Sequence, residues 1–189
     1  MKSDNLNISS SDNELIESYN KGNKQAFNYI VLKYQKTLYK FIIRIMNDHD
    51  RTDDALQETF LKLYKSLNSF RKESKLLTYL YRIAFNTSMN HLKKIQKENE
   101  RNIKISALNY ELPDTKEEET DTEKTFNLTK SFDKLPPKQK AVFMMRYFDN
   151  LSYEEISEIT GTSVGGLKAN YFQAIKNLKF SILNEQQKK

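Results

Sequence analysis

Leu151–Leu178, LSYEEISEITGTSVGGLKANYFQAIKNL, decides the fold. Ser152 stands where a helix needs an N-cap, and Glu155 three residues on can complete a capping box. Leu151 before the cap and Ile156 behind it fit a hydrophobic staple, and Ile159 extends the same apolar side. Gly161 breaks the pattern at a turn, and Ser163 can cap the next helix. In that helix Val164, Leu167, Tyr171, Ala174 and Leu178 recur at helical spacing, leaving Gly165, Lys168, Ala169, Phe172 and Lys176 on the other side. A short helix, a glycine turn and a second helix with a small, partly basic outer face suit a DNA major groove. Two packed helices of an ordinary α-bundle would give the same apolar spacing, so this segment alone leaves both readings open.

Upstream of it, Leu135 and Pro136 read as a helix start, followed by Val142, Met145 and Phe148. From Lys130 to the end there are ten Lys and Arg against six Asp and Glu. A region this small buries only a modest core, so it needs all its helices. Before it, NYELPDTKEEETDTEKTF (109–126) carries seven acidic residues against two lysines. Few of those side chains can be buried, which reads as an extended acidic tether. Such a tether could shield a basic surface or act only as a solubilising linker.

The front part, from Asp12 to Lys97, has the apolar periodicity of a helical bundle. Ser11 or Asp12 can cap a short helix through Leu15, Ile16 and Tyr19. Asn23 precedes a longer one carrying Phe27, Ile30, Val31, Tyr34, Leu38, Phe41, Ile42 and Ile45. Thr52 or Asp53 can start a third, with Ala55, Leu56, Phe60, Leu63 and Leu67, and a fourth begins near Lys75. Phe70–Ser74 reads as the connector between them.

Composition narrows the function. The formal charge of +6 on 189 residues favours a polyanionic partner, although a solvated basic surface gives the same number. There are no cysteines, which excludes disulfides and suits a reducing cytoplasm. The N-terminus has no apolar stretch to serve as a signal peptide, and no apolar run approaches a membrane span. No phosphate-binding glycine loop or nucleophile motif is present, and His49 and His91 are the only histidines. These features predict a protein that is not an enzyme and holds no cofactor or metal.

DDALQETFLKLYKSLNSF (53–70), TYLYRIAFNTSMNHLKK (78–94) and LPPKQKAVFMMRYFDN followed by the opening segment (135–178) together resemble bacterial RNA polymerase sigma factors. The resemblance is to the sigma-70 family, in its small extracytoplasmic-function (ECF) group, and covers about Asp12–Leu92 and Ser131–Lys179. It implies an all-α fold: a four-helix domain similar to sigma region 2 over 12–97, a flexible acidic linker over 98–130, and a helix-turn-helix domain similar to sigma region 4 over 131–184. The resemblance further implies core RNA polymerase and promoter DNA as partners, with an anti-sigma factor as a regulator. The first domain would bind the polymerase clamp and melt the −10 element; the second would bind the flap and read the −35 element. A C-terminal sensor domain, as some relatives carry, is not expected.

Mapped onto this chain, the clamp contacts fall on Asp54, Gln57, Glu58 and Leu61, whose spacing gives one acidic, partly apolar helix face. The −10 set is Asn68, Phe70, Arg71, Lys72, Lys75, Tyr79, Arg82, Asn86 and Lys93. Aromatic rings stack on unpaired bases, Arg neutralises phosphate and Asn can bond a base edge, a combination suited to single-stranded DNA. Tyr79 stands where the family usually has Trp, and could equally be core. The loop Leu67–Ser74 matches the one that captures a flipped base. The −35 set is Ser163, Gly165, Gly166, Lys168, Asn170 and Gln173. Here SVGGLKANY replaces the family's common SVGTVKSRL, so Asn170 stands for Arg, which predicts weaker phosphate contact and an altered −35 preference. Gly166 costs about 1 kcal/mol of helix propensity relative to alanine, which close approach to DNA could explain. A regulator binding closed duplex without polymerase, or a helical adaptor that never meets DNA, are the competing readings.

Overall fold

A computed structural model describes residues 6–71, 74–106, 132 and 135–186, which contain seven α-helices and no strand. In chain order these are α1 (Asp12–Asn20), α2 (Gln25–Met46), α3 (His49–Ser66), α4 (Leu76–Ser106), α5 (Pro137–Tyr147), α6 (Tyr153–Thr160) and α7 (Val164–Gln186), with one 3-10 turn, Leu67–Ser69, after α3. The whole acidic stretch 109–126 lies outside the described residues, as does the rest of 107–131. Among the described residues no helix is long and apolar enough to cross a membrane.

Caps set most of the boundaries. Ser11 caps α1 in a full capping box with Glu14, whose carboxylate accepts from the Ser11 N–H at 2.8 Å. α2 ends where Asn47 turns left-handed at φ 53°. α3 starts earlier than Thr52 or Asp53: Asp48 is its cap, accepting from the Arg51 N–H at 3.0 Å. The Thr52 hydroxyl is instead buried and donates to the Asp48 carbonyl at 2.7 Å, inside the first turn. α4 starts where expected but runs on past Lys97 to Ser106.

Helices α1–α4 form a bundle around Leu15, Ile30, Leu38, Phe41, Ile42, Leu63 and Leu80, all buried. Small side chains fill it where α3 packs on α4: Ala55 and Thr59 from one, Ala84, Thr87 and Ser88 from the other, all at 0% exposure. Thr59 returns its hydroxyl to the Ala55 carbonyl at 2.7 Å, and Lys62 Nζ reaches Thr87 Oγ1 at 3.0 Å.

The C-terminal helices do not stand apart. Val142 and Met145 of α5, Ile156 and Ile159 of α6 and Leu167 of α7 belong to the same apolar cluster as the front bundle. A smaller cluster of Leu135, Phe143, Met144, Ala174 and Leu178 is the second unit's own core. Polar contacts line the border. Arg44 Nη1 donates to Asp149 Oδ1 at 3.0 Å while its guanidinium lies 4.5 Å from the Phe148 ring centre. Lys75 Nζ is 3.3 Å from Glu155 Oε1, and Arg82 Nε donates to the Glu158 carbonyl at 2.8 Å.

Candidate nucleic-acid and polymerase interfaces

The helix-turn-helix is built from reciprocal caps. The Ser152 hydroxyl accepts from the Glu155 N–H at 3.1 Å, and Glu155 Oε2 accepts from the Ser152 N–H at 2.9 Å. The Ser152 backbone donor is the largest influence holding the Glu155 carboxyl below its ordinary value, with Lys75 adding to it. Gly161 ends α6 at φ 69°, in the left-handed region that glycine adopts without strain. Across the turn, Thr162 N–H donates to Thr160 Oγ1 at 3.2 Å and Gly166 N–H to Ser163 Oγ at 3.3 Å.

Leu167, Ala174 and Leu178 of α7 face inward and are buried. Ser163, Gly165, Lys168 and Gln173 of the expected −35 set are exposed, and so are Ala169, Phe172 and Lys176. Phe172, at 70% exposure, lies on this face although the residue reading of DNA contacts passed over it. Gly166 and Asn170 are only half exposed. A Cβ on Gly166 would lie 3.2 Å from Thr162 Cγ2 and 3.3 Å from Ser163 Oγ, a tight fit that those two side chains would have to relieve by a few tenths of an ångström. Asn170 lines a cleft of about 720 Å³ against α4, together with Phe85, Asn86, Met89 and Lys93.

On the front bundle, Asn68, Arg71, Lys75, Arg82, Asn86 and Lys93 of the expected −10 set are exposed, while Lys72 lies outside the described residues. Phe70 and Tyr79 are half-buried, their rings 5.0 Å apart, and the Tyr79 hydroxyl donates to Ser66 Oγ at 2.9 Å. Tyr79 therefore braces the loop that follows α3, with one part of its ring still open. Beside this loop is an open hollow of about 810 Å³, lined by Asp12, Lys33, Phe70, Ser74 and Lys75 among others.

The expected clamp face divides. Asp54 and Gln57 are exposed and Leu61 is 54% exposed. Glu58, its side chain 42% exposed, is paired at the bundle surface: Lys62 Nζ lies 2.7 Å from Oε1 and His91 Nε2 2.7 Å from Oε2. Those hydrogen bonds, Lys62 first and His91 second, hold its carboxyl below the ordinary range. Next to it, Phe27 and Val31 of α2 and Leu56, Phe60, Leu61 and Tyr64 of α3 line an apolar groove of about 530 Å³. The stripe that marked Phe27 and Val31 as core gave no sign that they end at an open groove. Among the described residues no three His, Asp or Glu side chains converge as metal ligands.

Comparison with known proteins agrees with this layout. Residues 30–98 match the family model for sigma-70 region 2, and residues 126–178 the model for sigma-70 region 4. The chain is 34% identical over 173 residues to the ECF RNA polymerase sigma-E factor of Haemophilus influenzae, spanning 86% of this chain and 90% of that one. CnrH, solved in complex with the cytosolic domain of CnrY, superposes with a TM-score of 0.66 at 18% identity, over 93% of this chain and 99% of its own. The sigma factor RpoE of Bartonella quintana, solved with the anti-sigma factor NepR, gives 0.62 at 21%, over 82% of this chain and 96% of its own. At those identities the two structures speak to the fold, and the sequence relatives to descent. The chain belongs to the sigma-70 family of RNA polymerase sigma factors, in its extracytoplasmic-function group.

Proposed function

We propose that this sigma factor directs core RNA polymerase to promoters through three surfaces of its own. The −35 element is read by the exposed face of α7, with Ser163, Gly165, Lys168 and Gln173 in contact and Gly166 and Asn170 shaping its edge. The −10 strand is held along Asn68, Phe70, Arg71, Lys72, Lys75, Tyr79, Arg82, Asn86 and Lys93, with the loop at Phe70 taking a flipped base. The clamp docks on the groove between α2 and α3, where Gln57 and Leu61 stand beside Phe27, Val31 and Tyr64, and Asp54 lies at its margin. Residues 12–97 act as the clamp and −10 unit, 98–130 as linker and 131–184 as the flap and −35 unit. Synthesis of RNA stays with the polymerase core, in the cytoplasm.

The capped helix-turn-helix with one exposed, partly basic face is the observation that carries this assignment. A regulator is also proposed. Similar sigma-fold proteins bind the cytosolic domain of CnrY and the anti-sigma factor NepR. The cleft between α4 and the second unit, apolar in large part and lined by Asn86, Lys93 and Asn170, would let one such partner cover both DNA-reading surfaces.

Initiation from a library of random promoter-length templates, with core polymerase in the presence and absence of the protein, tests the function. The expected result is transcripts that need the protein and share two motifs near −35 and −10. Closed-duplex binding by the protein alone, with no stimulated transcript from a matched core, would replace the reading with that of a conventional regulator.

A further inference from the structure

Hydroxyl groups tie off the end of α3. A helix leaves its last carbonyls without partners of its own, and this one takes no left-handed cap, since Leu67 stays at φ −63°. Instead the Ser66 hydroxyl turns back to the Lys62 carbonyl at 2.9 Å, and Ser69 Oγ donates to the Ser66 carbonyl at 2.8 Å. From α1, the Tyr19 phenol donates to the Tyr64 carbonyl at 3.2 Å. Backbone donors extend the closure: Leu67 N–H donates to the Leu63 carbonyl, and Phe70 N–H to the Leu67 carbonyl at 3.1 Å.

One of these oxygens carries a second bond. Ser66, half-buried, also accepts at Oγ from the Tyr79 phenol of α4 at 2.9 Å. A serine hydroxyl has a single proton, and here it is committed to Lys62, so Tyr79 is the donor. The Tyr79 ring in turn lies 5.0 Å from the Phe70 ring, inclined at 36°. Phe70 follows directly on the turn that Ser69 closes onto Ser66. The Ser66 side chain therefore fixes one ring directly, while its carbonyl fixes the other through Ser69.

We propose that Ser66 is a positioning residue for strand opening: it sets the Phe70 and Tyr79 rings in place before DNA arrives, so that an unstacked base meets a preformed two-ring surface. The inference rests on the −10 assignment proposed above, in which those two rings meet the strand, and Ser66 acts only through them. Rings already placed lose less freedom when a base stacks on them, a gain realised only once the duplex has opened. Polymerase docking does not draw on it, because the groove assigned to the clamp is lined by Leu61 and Tyr64 and stops short of Ser66.

The test compares the full-length parent with Ser66→Ala, Ser66→Thr, Tyr79→Phe and the double exchange Ser66→Ala with Tyr79→Phe. Threonine is the conservative rescue, because Thr52, Thr59 and Thr160 already return their hydroxyls to the carbonyl four residues back. Each protein is combined with core polymerase on a promoter recovered from the random-template library, carrying a fluorescent adenine analogue in its −10 element to report unstacking. Ser66→Ala and Tyr79→Phe are each expected to open it about fivefold more slowly, the size of one hydrogen bond's net contribution. Core polymerase affinity should stay within about twofold of the parent's. The double exchange should open no more slowly than either single variant, because both remove the same bond, and Ser66→Thr should keep the parent's rate. In the free protein, hydrogen exchange at the Leu67 and Phe70 amides is expected to quicken in Ser66→Ala and not in Ser66→Thr. Parent opening rates in both single variants, losses that add in the double exchange, or Ser66→Thr as slow as Ser66→Ala would overturn the positioning role. Quicker exchange with unchanged opening overturns it as well, leaving Ser66 a helix cap and nothing more. A parent holoenzyme that opens no promoter strikes the −10 assignment itself, an outcome told apart from the others because it precedes any comparison of variants.

Discussion

Truncation of Leu61 to alanine separates two ways of docking on polymerase. If the acidic residues of α3 carried the contact, Glu58 would dominate. In the structure both Glu58 oxygens are already taken, by Lys62 and by His91. Leu61, in contrast, leaves 54% of its surface open at the lip of an apolar groove. Complete burial of a leucine side chain contributes about 1.5–3 kcal/mol. Covering the open half on docking therefore contributes about 1–1.5 kcal/mol, so Leu61→Ala should weaken core polymerase binding by about fivefold to tenfold. Because Leu61 is exposed, urea unfolding of the free variant should shift by no more than about 0.5 kcal/mol. Titration of labelled protein with core polymerase, with Glu58→Gln measured alongside, is the assay. Wild-type affinity for Leu61→Ala together with a tenfold loss for Glu58→Gln would refute the reasoning and return docking to charge.

Three further outcomes follow from named contacts. Ser152→Ala removes the acceptor for the Glu155 N–H and should cost about 1 kcal/mol in urea unfolding, with weaker −35 duplex binding. Gly161→Ala meets no atom within 4 Å, yet forces alanine to φ 69°, so a loss of about 1–2 kcal/mol with no clash is expected in the same assay. Glu14, Glu58 and Glu155 all sit below their ordinary value of 4.5 in the folded protein. The stability they add is present above that value and is lost as pH falls through their lowered folded values. Urea midpoints taken from about pH 6 down to about pH 3 should therefore fall, and fall less steeply in Glu58→Gln.

Local chemistry was legible in the sequence wherever one short segment contained its own partners. The Ser152–Glu155 box and the inward row Leu167, Ala174 and Leu178 follow from spacings of three and four, and the turn at Gly161 from its break in that pattern. The start of α3 was misread because Thr52 and Asp53 are as good caps by type as Asp48, and only the Asn47 turn decides among them. The pairing of Glu58 with His91 was not legible, because the two stand 33 residues apart. Gly166 and Asn170 fall on the −35 face by helix position, and spacing alone gives no sign that Gly166 lies tight against Thr162 and Ser163 or that Asn170 also borders the α4 cleft. Val142, Met145 and Ile156 show ordinary helical periodicity, which cannot say whether the neighbour they bury against is their own unit or the other.

The seam of small side chains between α3 and α4 has a consequence for how promoter preference drifts. Ala55, Thr59, Ala84, Thr87 and Ser88 are all fully buried, and Tyr79, Arg82, Asn86 and Lys93 ride on the same helix as the last three of them. A single added methylene in such a seam has nowhere to go except into displacement of the helix. Exposed Arg82, Asn86 and Lys93 and half-buried Tyr79 then shift together, in step, relative to the loop at Phe70. On the proposed −10 assignment, selection acting on residues that never meet a base retunes in this way which bases are accepted, much as moving a fret changes every string at once.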